Sequence, residues 1–445
     1  GGLNWPLAMV IFILFMMFLA LYPACAAALT AYARQGGITP LLTGPLAWAG
    51  AEWAKGWILT GFPWTPLGNS LTPALPLLQS AELWGTGGLS ALIVLINALG
   101  ARAALGVREK KSLGVPEAGV VALALALLFG GWWWGGQRLE RIRAEAGVAP
   151  KMAVTVVQGD VNIYDMWNPA KRLDIVKSHV RLAQEAAASV RGRPWLVVWS
   201  ESAAPFYMFA EARPTLPILE AARELGAYIF TGTMGTVRDG KKIRPSNRSW
   251  LVGPRGEDKG YYDKVHLVPF GEYVPFEDIL SFVRAIAVIG ENFSPGPKGH
   301  TLRAGQAVLG PLICYESIFP ELARSQRLRG AELIVNQTND AWFGRTAASE
   351  QHMSHLVLRC VENRMACARA ANSGVSGFVE PDGSVYQTTK LYVKKTETRL
   401  LPLLKTATFY TRHGGLVGPY GLGLVFLLAL GAGWRMRKTR EVQDV

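Results

Sequence analysis

The 445-residue chain has material for two or three domains with a sizeable core. Its net charge of +13 comes without a Lys/Arg stripe interleaved with aromatics, which argues against nucleic acid as a partner. Its four cysteines, Cys25, Cys314, Cys360 and Cys367, show no CxxC or paired spacing, which argues against a zinc module or a disulfide scaffold.

Half of the residues are hydrophobic, and the apolar ones gather in the first third and at the C-terminal end. A helix that crosses a bilayer needs about 20 apolar residues. The chain begins Gly-Gly rather than with Met, and its first charge-free run, 7–33, is too long for a signal-peptide core and lacks a basic leader. Runs 83–101, 118–136 and 414–434 are also charge-free and long enough. Run 41–59 is a weaker span because Glu52 and Lys55 sit inside it. That pair reads either as an i,i+3 ion pair at a helix end or as buried polar groups lining a functional cavity. Three basic clusters flank the runs: Arg34; Arg102, Arg108, Lys110 and Lys111; and Arg435, Arg437, Lys438 and Arg440. Five alternating spans put all three on one side, which the positive-inside rule makes cytoplasmic. The region between Gln137 and His413 is then expected outside.

That region reads as α/β. Short apolar or β-branched runs at 152–157, 196–199, 228–231, 308–313 and 333–336 predict strands. Helical periodicity covers 170–189, 216–225 and 350–371. Alternating strands and helices imply a layered α/β domain. The expected division is a four-span membrane bundle over 1–136, a catalytic domain over 150–408, a last membrane helix over 414–434 and a cytoplasmic basic tail over 435–445. Cys360 and Cys367, seven apart on the expected helix, would stand about 10 Å apart, too far for one disulfide. A bridge from Cys314 to either stays open.

Three motifs end strands, where α/β folds place chemistry. Leu196-Val-Val-Trp-Ser-Glu-Ser delivers Glu201; Tyr262-Asp-Lys-Val-His-Leu-Val-Pro-Phe-Gly-Glu-Tyr carries Lys264 and Glu272; Leu312-Ile-Cys-Tyr-Glu-Ser ends at Cys314. Singly, each has a bland reading: a solvated carboxylate, a surface charge, a small buried hydrophobe. Together, in the order Glu, Lys, Cys, the stretches WSES, DKVHLVPFGEYVP and LICYES resemble the carbon–nitrogen hydrolase (nitrilase) superfamily. The resemblance implies that Glu201, Lys264 and Cys314 are catalytic and that Glu272 holds Lys264. It also implies a nitrilase-like four-layer αββα sandwich attached to the helical membrane bundle.

Further stretches narrow the likeness. HLVPFGEYVP, the run Thr338-Asn-Asp-Ala-Trp-Phe-Gly, Val157-Gln-Gly-Asp with Trp167 downstream, and Thr60-Gly-Phe-Pro-Trp resemble the apolipoprotein N-acyltransferase family. That family has more spans before its catalytic domain, so about three N-terminal spans are expected to be missing here. Ser200 departs from the Pro that commonly precedes the catalytic Glu, a position that supplies only backbone direction. The family implies a two-step exchange at the outer, periplasmic face of the bacterial inner membrane. A phospholipid gives an acyl chain to Cys314, and the α-amine of a diacylglyceryl-modified cysteine on an apolipoprotein takes it, with ping-pong kinetics. Phospholipid, apolipoprotein and the lipid bilayer are the implied partners, with no cofactor and no metal. Trp64, Trp167, Asn247, Glu316, Trp342 and Phe343 are the implied substrate-binding residues, with ordinary packing as the alternative for Trp167, Trp342 and Phe343. A membrane-tethered amidase that uses water is the competing enzyme.

The chemistry explains the residue types. A thiol of pKa about 8.5 stays mostly protonated at neutral pH, and a carboxylate of ordinary pKa about 4.3 is a poor base for it. The reading therefore requires Glu201 buried and Lys264 close enough to steady the thiolate. The same ammonium, with the backbone N–H of Tyr315, would face the oxyanion of the tetrahedral intermediate. Two alternatives are a Cys314–His266 pair and a metal on His352 and His355, which sit i,i+3.

Overall fold

The computed structural model describes residues 5–110, 115–190, 195–240, 242–275 and 292–443. The chain divides into two compact units, Leu3–Arg141 with Thr408–Val445, and Ile142–Ala407. Lys111 and Val445 lie outside the described residues.

Among the described residues four helices are long and apolar enough to cross a membrane: Trp5–Gln35, Ala81–Arg108, Ala118–Val148 and Val417–Thr439. They coincide with the four charge-free runs. The weaker candidate, 41–59, holds a 16-residue helix, Pro40–Lys55. At 1.5 Å per residue it is about 24 Å long, short of a hydrocarbon core of about 30 Å. Its two charges fasten the loop that follows. Glu52 Oε1 accepts from the Trp48 indole at 3.0 Å and from the Leu67 N–H at 2.7 Å, and Lys55 Nζ donates to the Trp64 carbonyl at 3.2 Å.

The second unit holds thirteen described strands: β1 (Lys151–Gln158), β2 (Trp195–Trp199), β3 (Ala204–Tyr207), β4 (Tyr228–Asp239), β5 (Lys242–Val252), β6 (Asp258–Asp263), β7 (Leu302–Ala304), β8 (Ala307–Ile313), β9 (Leu333–Thr338), β10 (Ala366–Ala371), β11 (Gly377–Val379), β12 (Val385–Tyr386) and β13 (Lys395–Pro402). One sheet runs β13-β1-β2-β4-β5-β6, with β3 beside β4; the other runs β12-β11-β10-β9-β8-β7. β1, β2 and β4 are parallel, as are β8, β9 and β10.

The two-residue period of a strand explains the core. Met152, Val154, Val156, Leu196 and Val198 point into one apolar cluster with Leu309, Ile313, Leu333, Val335, Ala366 and Phe378 of the other sheet. The alternate residues Ala153, Val157, Trp195, Val197 and Trp199 face a second cluster with Val176, Ala183, Ile218 and Ala222. These last four lie on the helices Arg172–Ala186 and Ala212–Leu225. Burial on both faces is why these strands read as unbroken apolar runs. Each fully buried Val, Leu or Ile contributes roughly 1.5–3 kcal/mol.

One expectation fails. The helix expected over 350–371 ends at Asn363, and residues 366–371 are the central strand β10. Arg364 takes a left-handed φ of 49° and turns the chain, and β10 then pairs in parallel with β9. An Ala-rich run satisfies either periodicity, and the β9 ladder decides it. The turn also removes the premise that kept Cys360 and Cys367 about 10 Å apart. They lie on a helix and a strand, both buried, and all four cysteines are free thiols.

Candidate active site

Lys264 and Cys314 follow directly on the ends of β6 and β8, and Glu201 comes two residues after the end of β2. The two sheets share one core, so these ends converge although two belong to one sheet and one to the other. The turn carrying Glu201 is tight: Ser202 has φ 54°, and a Cβ on Gly232 of β4 would lie 2.8 Å from Glu201 Cα. Only glycine leaves room there for that backbone.

Two carboxylates clasp one ammonium. Lys264, 1% exposed, has Nζ 3.0 Å from Glu272 Oε1 and 3.5 Å from Glu201 Oε1. Asn247, on β5, bridges the same two oxygens, donating from Nδ2 at 2.7 Å to Glu201 and 2.8 Å to Glu272. Both amide protons of Asn247 are thus spent on carboxylates, which places it as a spacer. The remaining oxygens are held by backbone: Glu201 Oε2 accepts from the Asn339 N–H and Glu272 Oε2 from the Val268 N–H, both at 2.8 Å.

Burial alone would pull the Lys264 ammonium down. Glu272, Glu201 and the Cys314 sulfur outweigh it and hold it well above the ordinary lysine range. Burial pushes the Cys314 thiol up to about 12; Glu201 adds to the push and Lys264 opposes it. Lys264 thus favours thiolate without producing it at rest, and attack has to be accompanied by transfer of the thiol proton to a base. Cys314 has φ 50°, a left-handed conformation that costs a residue with a Cβ about 1–2 kcal/mol. Its carbonyl accepts from Ser317 Oγ at 3.1 Å and lies 3.0 Å from His352 Nε2.

Glu316 does not present a free carboxylate to a substrate. It is fully buried, and its oxygens accept from the N–H groups of Val265 (2.6 Å), His266 (3.1 Å) and Ile313 (2.6 Å) and from Tyr262 Oη (3.0 Å). It bolts the segment after Lys264 to the residue before Cys314. Burial pushes its carboxyl up, against the pull of those backbone donors and of Lys264. Tyr315 packs edge-on against Phe319, whose ring centroid lies 3.8 Å from that of His266.

The aromatic candidates differ in exposure. Trp342 is 68% exposed and Trp167 46%, while Phe343 stands edge-on to His352. Trp64 lies in the other unit, stacked on Phe62. Among the described residues no group of three or more His, Cys, Asp or Glu gathers as metal ligands. Sequence reasoning gave no role to Asn339, Asp340 or Arg369 around the nucleophile. Asn339 and Asp340 lay in the run Thr338-Asn-Asp-Ala-Trp-Phe-Gly, and the signal of Arg369 was a lone charge inside an Ala-rich run.

Comparison with known proteins follows the same division. Residues 153–398 match the carbon-nitrogen hydrolase family, and residues 1–99 match the apolipoprotein N-acyltransferase N-terminal domain. The apolipoprotein N-acyltransferase of Geobacter metallireducens is 38% identical over 415 residues, 93% of this chain and 78% of that protein. That of Allorhizobium ampelinum is 35% identical over 357 residues, 79% of this chain and 65% of that protein. Among solved structures, a nitrilase-superfamily member from Saccharomyces cerevisiae shares 18% identity over 57% of this chain and 90% of its own, with a TM-score of 0.44.

Proposed function

Because the chain belongs to the apolipoprotein N-acyltransferase family, we propose that it moves a fatty acyl chain from a phospholipid, through a thioester on Cys314, to the α-amine of an apolipoprotein's diacylglyceryl-cysteine. The single observation that carries the reading is the clasp of Lys264 and Asn247 on Glu201 and Glu272 beside Cys314.

Cys314 Sγ attacks the ester carbonyl of the phospholipid while Glu201 takes the thiol proton. The Lys264 ammonium, with the Tyr315 N–H, stabilises the oxyanion. On collapse the lysophospholipid leaves with the proton held by Glu201, and the acyl group stays on sulfur. The acceptor's amine then attacks the thioester, gives a proton to Glu201, and the sulfur leaves as a thiol reprotonated from that carboxyl. Glu272 and Asn247 keep Lys264 and Glu201 in register throughout. Trp64, Trp167, Trp342 and Phe343 are the candidates to meet acyl chains.

The same reading includes a four-layer αββα catalytic domain over 150–408 on the periplasmic side, helical spans over 1–136 and 414–434, and a cytoplasmic tail. The orientation depends on the helix Pro40–Lys55. Arg34 and the cluster from Arg102 onward share a side only if that short helix crosses along with Ala81–Lys110.

The test separates transfer from hydrolysis. Water must be kept from the thioester until the amine arrives. Phospholipid alone should therefore release about one lysophospholipid per enzyme and then stall, the burst of an accumulating acyl-enzyme. A peptide with an N-terminal diacylglyceryl-cysteine should restart turnover, and blocking its amine should prevent this. Continuous release of free fatty acid at the full turnover rate without acceptor would overturn transfer in favour of a water-using amidase-like enzyme.

A further inference from the structure

We propose that His352 is a positioning residue for the nucleophile, its Nε2–H holding the Cys314 carbonyl and thereby the left-handed turn that aims Sγ. The proposal rests on Cys314 being the acyl carrier.

His352, Asp340 and Arg369 form one buried cluster, none more than 1% exposed. They come from the helix Ala348–Asn363, the turn after β9, and β10. Arg369 Nη2 donates to Asp340 Oδ2 at 2.6 Å and lies 3.1 Å from His352 Nδ1. Arg369 is itself fixed by Asn336 Oδ1 at 2.7 Å and the Val375 carbonyl at 2.9 Å. Asp340 Oδ1 accepts from Thr338 Oγ1 at 2.8 Å and stands 3.1 Å from His352 Nδ1.

The chemistry of the partners fixes one ring proton. The Cys314 carbonyl can only accept, so Nε2 must carry a proton. At Nδ1 the Arg369 guanidinium can only donate and the Asp340 carboxylate can only accept, each at 3.1 Å, and either state of that nitrogen leaves Nε2–H on the Cys314 carbonyl. Burial and the Arg369 charge hold the imidazole below the ordinary histidine range, against Asp340. The Arg369–Asp340 pair thus orients a ring whose other nitrogen grips the nucleophile's own carbonyl.

That grip matters because Cys314 sits at φ 50°, where a residue with a Cβ stays only if its surroundings hold it. If the peptide relaxes, Sγ leaves its position beside Glu201 and Lys264. Ser317 Oγ reaches the same carbonyl but comes from the nucleophile's own turn, so it moves with it. His352 is anchored on a separate helix.

The test compares His352→Leu, His352→Asn and His352→Gln in the full chain. A glutamine amide nitrogen falls near the Nε2 position and an asparagine amide nitrogen near Nδ1. Leu and Asn should slow the single-turnover burst of acyl-enzyme roughly 10- to 100-fold with KM for phospholipid unchanged, and Gln should restore it to within about threefold. Equal burst rates in Leu or Asn variants that melt like wild type would overturn the proposal, as would a Gln variant as slow as Leu at the same melting temperature. If the variants do not fold, the wild-type chain decides. Nitrogen-15 spectra of histidine-labelled protein should contain a ring with Nε2–H protected from exchange, whose signal moves when Cys314 is alkylated; finding none would also overturn it. A wild type that shows no burst at all sinks the acyl-carrier reading instead, so the two failures are distinct.

Discussion

Glu201→Gln should make Cys314 more reactive toward a small alkylating agent while stopping acyl transfer. In the wild type, burial and then Glu201 push the thiol up to about 12, and Lys264 pulls the other way. At pH 8 such a thiol is ionised roughly once in 10,000, whereas an ordinary cysteine of pKa about 8.5 is about a quarter ionised. Only the thiolate alkylates, so the resting site should react with iodoacetamide about three orders of magnitude more slowly than a free cysteine. Glutamine keeps the shape and an oxygen for the Asn339 N–H but removes one negative charge. A unit charge at about 4 Å in an effective dielectric of about 20 is worth roughly 4 kcal/mol. Half of that, for a partner partly screened by Lys264, is about 2 kcal/mol, or about 1.5 pH units and a 30-fold faster alkylation at pH 8. Lys264 would also keep a single carboxylate partner, Glu272, which strengthens its pull on the sulfur. The assay is iodoacetamide labelling in a Cys25→Ser background, with Cys360 and Cys367 protected by burial. Acyl-enzyme formation from phospholipid is measured in parallel. Alkylation that is unchanged or slower would refute the electrostatic account, and acyl-enzyme at the wild-type rate would remove Glu201 as the base.

Glu316→Gln sets an amide N–H₂ against at least one of the buried backbone donors of Val265, His266 and Ile313. It should cost about 2–3 kcal/mol, read as a lower melting temperature together with slower acyl-enzyme formation; unchanged melting would show that the carboxylate fastens nothing. A tag after Val445 should be protected from protease added to spheroplasts and a tag in the loop at Gly240 should be cut, whereas the reverse pattern would invert the orientation.

Much of the site was legible because its signals are local. Charge-free runs of about 20 residues have one physical use, and β-branched runs buried on both faces mark strands whose ends carry side chains together. Glu201 and Cys314 each follow such an end. The helix expected over 350–371 failed because Ala-rich sequence is compatible with either period, and pairing with β9 chose the strand for its second half. Run 41–59 forms a shorter helix than its charge-free neighbours, and Glu52 and Lys55 near its end bind the loop beyond it.

By itself, then, the sequence determined which segments are apolar enough for a bilayer, where the strands before Glu201 and Cys314 end and which three residue types could run thioester chemistry. It could not determine who holds whom. Asn247 sits mid-strand on β5, and nothing around it in sequence distinguishes a spacer between two carboxylates from a substrate ligand; the antiparallel β4–β5–β6 arrangement decided it. Glu316, two residues from the nucleophile, turned inward because four donors from three segments meet its carboxylate. His352 and Arg369 acquired partners only when the helix and β10 closed over Cys314. A buried polar group is acceptable only where its partners already stand, and those partners come from segments far apart in the chain, so only the tertiary structure could assign them.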